Sequence, residues 1–87
     1  MVKIQGSVIR EQGQTFAIVI VKMFVLDSLI EREKMQSSLR QLFPNMPIIL
    51  MAQDARGIPK YWGKIDIVNF LATIDISQIP WKEYTYS

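Results

Sequence analysis

The sequence predicts a small α/β domain, on the border of the α+β class, in which two helices pack on a four-stranded mixed sheet. Two uncharged runs, Thr15–Val21 and Met46–Ala52, have the apolar content on both faces that interior strands require. Residues 28–43 and 65–74 instead repeat apolar side chains at the helical period. The predicted order is therefore β-β-α-β-β-α, followed by an extended C-terminal tail.

The first two strands are predicted to form a hairpin. Val2–Ile9 alternates apolar and polar residues, which is typical of a half-buried strand. Arg10–Gln14 is polar and contains Gly13, which adopts a positive φ without strain, so we expect a five-residue loop. Thr15–Val21 is apolar on both faces and is expected at the centre of the sheet.

The first helix is predicted from about Ser28 to Phe43. Ser28 and Glu31 have the spacing of a capping box, in which the serine oxygen accepts from the N–H three residues later. Pro44 ends the helix, because the residue before a proline is disfavoured in the helical region. The core-facing stripe follows the spacing i, i+4, i+7, i+8 and consists of Met35, Leu39, Leu42 and Phe43.

The second half of the chain again combines strands and a helix. Met46–Ala52 is predicted as an interior strand, and Asp54–Gly57 fits a type I turn. Ile58–Trp62 returns as a short strand on the sheet edge, since Pro59 has no N–H to donate to a neighbour. A helix over Ile65–Ile74 follows, with one apolar face.

Connection rules assemble these elements into a single domain that covers residues 1–87. A right-handed crossover makes the two interior strands parallel neighbours and predicts the sheet order 1-2-3-4. Both faces of these strands are apolar, so both need cover. Either the two helices lie on opposite faces, or both lie on one face and leave the other for a partner subunit or for the tail, 81–87.

The composition excludes several kinds of chemistry. The 87-residue chain has no His and no Cys, which removes disulfides, Cys nucleophiles, His bases and the usual ligands of zinc, haem, iron–sulfur clusters and copper. The carboxylates of Asp54 and Asp66 each fit a structural role, one in a turn and one at a helix start. We therefore expect no catalytic residues, no metal and no cofactor.

The sequence also argues against a membrane protein. Polar residues interrupt the N-terminal segment, so it lacks the apolar core of a signal peptide. The longest apolar stretch, Phe16–Leu26, contains Lys22 and is far shorter than the ~20 residues of a membrane span. We expect a cytoplasmic protein.

The segment from Arg56 to Lys64 is the strongest candidate for a contact surface. It combines three cations and two aromatic residues without an acid. This mixture suits a protein–protein hot spot or single-stranded nucleic acid. The simpler interpretation is structural, with one aromatic ring under a helix and the lysines solvated on an edge strand. The candidate binding residues are Arg56, Lys60, Tyr61, Trp62 and Lys64.

The C-terminal tail is the second candidate. Trp81 and Tyr84 would contact a partner if the tail added as a strand to the edge of a neighbour's sheet. Alternatively, the tail folds back and its aromatic residues cover the chain's own core. Tyr86 shares one side of an extended chain with Tyr84.

These observations favour a non-catalytic protein-interaction or structural module that binds a protein partner or forms a homo-oligomer. The small core, the apolar inner strands and the many aromatic residues support this interpretation. One alternative is a nucleic-acid-binding domain that uses the hairpin 56–64. A second alternative is a small-molecule enzyme or carrier without a recognisable site.

Overall fold

The computed structural model describes residues 2–11 and 13–86, apart from the side chains of Val2 and Tyr86. This part of the chain forms an α+β domain with five strands and three α-helices. A short 3-10 turn, Ile76–Gln78, precedes the last strand. The elements are β1 (Val2–Glu11), β2 (Gln14–Ile20), α1 (Met23–Leu26), α2 (Leu29–Leu39), β3 (Ile48–Gln53), β4 (Pro59–Trp62), α3 (Ile65–Leu71) and β5 (Lys82–Tyr86).

The predicted neighbours in the sheet are confirmed, within a larger sheet of order β4-β3-β2-β1-β5. The inner strands β2 and β3 are parallel, with Ala17 opposite Ile48. β1 pairs antiparallel with β2, and β3 pairs antiparallel with β4. β4 lies at one edge of the sheet, as the position of Pro59 indicated.

The expectation of four strands and a separate tail is wrong. Lys82–Tyr86 is a fifth strand that pairs antiparallel with β1, where Ile4 lies opposite Tyr84. β1 pairs with β2 only from Gly6 onward. The residues of β1 before Gly6 therefore have backbone groups that need another partner, and β5 supplies it. The tail is an edge strand of its own domain.

Helices cover both faces of the sheet, which decides between the two arrangements that the sequence left open. Successive residues of β2 and β3 point to opposite faces, so each strand contributes to two cores. The core on the α3 side contains Phe16, Ile18, Ile49, Met51, Ile67, Leu71 and Ile79. The core on the α1–α2 side contains Ala17, Val19, Val25, Leu39, Phe43, Ile48 and Leu50.

The connection between β2 and β3 contains two helices where one was expected. The Val21 N–H donates to the Met51 carbonyl, and the chain then turns into α1. α2 begins as predicted, with Ser28 Oγ accepting from the Glu31 N–H at 3.3 Å. The two-helix prediction is thus corrected to three helices, because the apolar run after β2 leaves the sheet and forms its own helical turn.

Both longer helices end earlier than predicted. After α2 the chain forms a tighter turn, in which the Leu42 N–H donates to the carbonyl three residues earlier, that of Leu39. The Phe43 side chain that follows this turn still packs in the core. After α3 the Thr73 hydroxyl donates a hydrogen bond to the Phe70 carbonyl oxygen at 2.6 Å, and the helix ends before Ile74.

In the part of the chain that the structure describes, no helix is long and apolar enough to cross a membrane.

The five-residue loop predicted over Arg10–Gln14 is also wrong. Arg10 pairs with Thr15, and Glu11 pairs with Gln14, so the hairpin ladder continues to its end. Gly13 has the expected positive φ of 75°, and Gln12 lies outside the described residues. Polar side chains do not prevent pairing here, because this end of the hairpin projects into solvent.

Candidate functional site

The β3–β4 hairpin carries the residues that the sequence singled out. Asp54 organises its turn, since Oδ1 accepts from the N–H groups of Arg56 and Ile58 at 2.9 and 3.0 Å. Gly57 has a φ of 81° and its N–H donates to the Asp54 carbonyl. The Arg56 side chain is exposed at the tip. The predicted turn role of Asp54 is confirmed.

Tyr61 and Trp62 lie on opposite faces of β4, and both are half-buried. Tyr61 lies opposite Met51 and packs against the core on the α3 side. Trp62 lies opposite Leu50 and packs against the core on the α1–α2 side. The Tyr61 hydroxyl is buried without a hydrogen-bond partner among the described residues, and burial raises its pKa. Each ring therefore contributes to a core.

Arg32 lies over Trp62, a contact that the sequence analysis missed. The guanidinium carbon is 4.9 Å from the centre of the indole ring, within the range of a cation–π interaction. Arg32 Nε is buried and has no hydrogen-bond partner in the described part of the chain. No local sequence signal links these residues, because α2 and β4 meet only in the folded sheet.

Five cations surround β4 and form a surface that we call the cationic edge. Arg56 lies at the hairpin tip, and exposed Lys60 points to the same side of the strand as Trp62. Arg40 and Lys64 both line a cavity of about 240 Å³ at the other end of β4. The cationic edge contains half of the ten Lys and Arg residues of the chain: Arg32, Arg40, Arg56, Lys60 and Lys64.

An acid lies beside one end of this surface. Lys64 Nζ donates to Gln14 Oε1 at 3.1 Å and is 3.8 Å from Asp66 Oδ2. Gln14 Nε2 also donates to Asp66 at 3.0 Å. The hydrogen bond from Gln14 is the main reason why the pKa of Asp66 is lowered, and the Ile67 N–H and the Lys64 charge act in the same direction. Asp66 therefore offsets part of the Lys64 charge.

The aromatic residues of the tail pack on their own domain. Trp81 is half-buried on the α3 side, and its Nε1 donates to the Ile76 carbonyl at 3.3 Å. Tyr84 packs on the other side of the sheet, with its ring edge-to-face with Phe43 at 5.1 Å. The side chain of Tyr86 is not among those that the structure describes. A binding role for Trp81 and Tyr84 stays a prediction.

Three large apolar side chains that are exposed to solvent lie close together in sequence at the junction of α1 and α2. Phe24 is 60% exposed, Leu29 is 56% exposed and Ile30 is 65% exposed. We call these three residues the apolar end. The sequence analysis missed it because it followed only the stripe through Met35. Leu29 and Ile30 fall outside that stripe, and this departure was the available signal.

Within residues 2–11 and 13–86, no group of three or more acidic or metal-ligating side chains is placed to hold a metal ion. No protein-family model, curated protein or solved structure matches this chain. A function therefore has to be inferred from the surfaces of the chain itself.

Proposed function

We propose that this protein is a non-catalytic interaction module that associates with a second copy of itself through the apolar end. The observation that carries the proposal is the exposure of Phe24, Leu29 and Ile30, each more than half in solvent. Large apolar side chains grouped on a surface commonly mark a site of protein contact. Both faces of the central strands are already covered by helices, so this junction is the better candidate for contact than an open sheet face.

The charges beside the apolar end favour a second copy as the partner. Exposed Lys22 precedes α1, and exposed Asp27 lies between α1 and α2. In a two-fold interface the same patch from both copies meets, and each contact occurs twice. A two-fold axis that passes through α1 would bring Lys22 of one copy close to Asp27 of the other, since these residues flank the helix. A surface with one charge of each sign complements itself better than it complements a strongly acidic or basic partner.

The size of the apolar end predicts a weak dimer. Three large side chains exposed to this extent offer roughly 300 Å². A stable interface buries about 800 Å² on each partner. Flanking polar residues must supply the remainder, and we expect association that depends on concentration.

The positions of the carboxylates support a non-catalytic role. Asp54 is engaged in the hairpin turn, and Asp66 is engaged with Gln14 and Lys64. These residues lie at opposite ends of β4, so they do not form the close pair that acid–base catalysis by two carboxylates requires.

Light scattering over a concentration series tests the proposal. The wild-type chain is expected to exceed its monomer mass of 10.1 kDa at micromolar concentration, and Leu29→Ser combined with Ile30→Ser is expected to restore the monomer. Ile65→Ser is the matched control, because Ile65 is 70% exposed but belongs to α3 on the other face of the sheet. A wild-type monomer at every concentration, or equal dissociation by Ile65→Ser, would contradict the proposal.

The cationic edge supports a second candidate function, which is the binding of single-stranded nucleic acid. Five cations surround one short strand, and the acids Asp54 and Asp66 both accept hydrogen bonds from other residues of the chain, Asp54 from the Arg56 N–H and Asp66 from Gln14. Phosphate contacts of this kind give an affinity that falls steeply with salt. Lys60→Gln is expected to weaken binding of a fluorescent oligonucleotide, with exposed Lys34→Gln as the control on α2. Binding that is absent, or independent of salt, would remove this candidate.

A further inference from the structure

An apolar groove lies beside the N-terminal half of β1, separate from the cationic edge. Its volume is about 420 Å³. Two of the residues that line it, Lys3 and Lys22, are cations, and the others are apolar. A concave apolar surface with a few charged groups is the usual form of a small-molecule site. The apolar part of the lining consists of Ile4, Ile20, Val21, Phe24, Val25 and Met35.

The groove follows from the register of the sheet. β1 extends beyond the point where it pairs with β2, since Gly6 is its first residue opposite that strand. β2 meanwhile leaves the sheet, because the Val21 N–H bonds to Met51 on β3 and the chain turns into α1. The first residues of β1 and the start of α1 are thereby separated, and Ile4 and Val21 line the opening between them.

The two lysines determine the charge of a matching ligand. Lys22 is exposed and makes no ion pair with the residues that the structure describes. Lys3 Nζ is 3.9 Å from Glu83 Oε1, but both side chains are mostly exposed, so this pair contributes little. An anionic group at the rim would gain the attraction of the Lys22 ammonium group and, partly offset by Glu83, that of Lys3, while an apolar chain would cover Phe24 and the floor of the groove.

We propose that this groove binds a medium-chain aliphatic carboxylate, with the chain against Ile4, Val21 and Met35 and the carboxylate beside Lys22. This site goes beyond the self-association proposed above and does not depend on it, but Phe24 and Lys22 belong to both surfaces, so the ligand and a second copy compete for them. The charge pattern of the lining favours a single negative head group with an apolar tail over a neutral apolar molecule or a multiply charged polar one.

Calorimetric titration of the full chain with decanoate tests this site. Wild-type protein is expected to bind decanoate more tightly than decanol, which has no charge, and more tightly than hexanoate, which has a shorter chain. Lys22→Gln is expected to weaken decanoate binding by about fivefold, the effect of one exposed ion pair, and to leave decanol binding unchanged. NMR shifts caused by decanoate are expected at Ile4 and Val21 rather than at Ile65.

The variant Leu29→Ser, Ile30→Ser separates this site from the dimer. Neither residue lines the groove, so the variant is expected to be monomeric and to bind decanoate at least as tightly as the wild type, whose dimer contacts use Phe24 and Lys22. No decanoate binding by the wild type or the variant would overturn the groove proposal, and so would equal binding by Lys22→Gln. Weaker binding by the monomeric variant than by the wild type would place decanoate at the dimer interface and would also overturn the proposal.

Discussion

Gly6 shows how one residue determines the spacing of two strands. A Cβ atom at this position would lie 2.8 Å from the Ile18 carbonyl oxygen and 3.7 Å from the Tyr84 ring. The first contact is with backbone, which cannot move aside as a flexible side chain can. The Tyr84 ring covers the space that a side chain at position 6 would otherwise fill. A composition-based strand prediction contains no information on this contact, because it arises between strands.

We expect Gly6→Ala to destabilise the fold by about 1–3 kcal/mol, as overpacking in a full core does. The added methyl group forces β1 and β2 apart, and this cost exceeds the small gain from a less flexible unfolded chain. Chemical denaturation measures the change. Gln5→Ala is the control, because Gln5 is exposed on the same strand and its loss is expected to change stability by less than about 0.5 kcal/mol. A Gly6→Ala protein as stable as the wild type would show that the strands adjust freely.

The pKa of Asp66 provides a second test at the residue scale. Because the folded pKa lies below the ordinary 3.8, Asp66 stabilises the fold above that pH, and this stabilisation is lost as the pH falls through the lowered value. Gln14→Ala removes the main cause, so we expect the pKa to rise towards 3.8 in an NMR titration and the loss of stability at low pH to become smaller. Ser77→Ala is the control, since Ser77 hydrogen-bonds Asp75 and should leave Asp66 unchanged. An unshifted Asp66 in Gln14→Ala would contradict the assignment.

Elements with local signals were predictable, and elements with distant partners were not. The central strands and the start of α2 follow from apolar runs and a capping residue, which act over a few neighbouring positions. The pairing of Lys82–Tyr86 with β1 joins the two ends of the chain, and no short pattern encodes it. The contact of Arg32 with Trp62 is also non-local. The turn and the edge strand of the β3–β4 hairpin were predictable from the sequence, whereas the position of Arg32 over Trp62 required the fold, and the sequence marked the apolar end only by the departure of Leu29 and Ile30 from the helical stripe.

The N-terminus of α2 tests the local signal directly. Ser28 Oγ accepts from the Glu31 N–H, and we expect Ser28→Ala to destabilise the fold by about 1 kcal/mol, because that N–H loses its acceptor. The free energy of unfolding in urea measures this loss. Ser37→Ala is the matched control, since Ser37 is exposed within α2 and alanine is the better helix former there. Equal losses in both variants would show that Ser28 stabilises α2 in another way.

At the scale of the whole molecule, β5 connects the tail, the sheet and the groove. It pairs with the residues of β1 that extend beyond β2, including Lys3 and Ile4 of the groove lining. The Tyr84 ring on β5 also contacts Phe43 in the core on the α1–α2 side. The strand that the sequence analysis considered as a contact for another protein thus completes this one.

Removal of residues 82–87 is expected to release the N-terminal half of β1 while the central sheet persists. Successive N–H groups of a strand point alternately to its two neighbours, and the register directs the Ile4 N–H towards β5, so the Ile4 amide proton should lose protection in hydrogen exchange. The amides of β3 should remain protected, because β3 pairs on both sides with other strands. Since Lys3 and Ile4 line the groove, decanoate binding should weaken together with this protection. A truncated chain that keeps full protection at the Ile4 amide would show that β1 is ordered by contacts other than the strand pairing with β5.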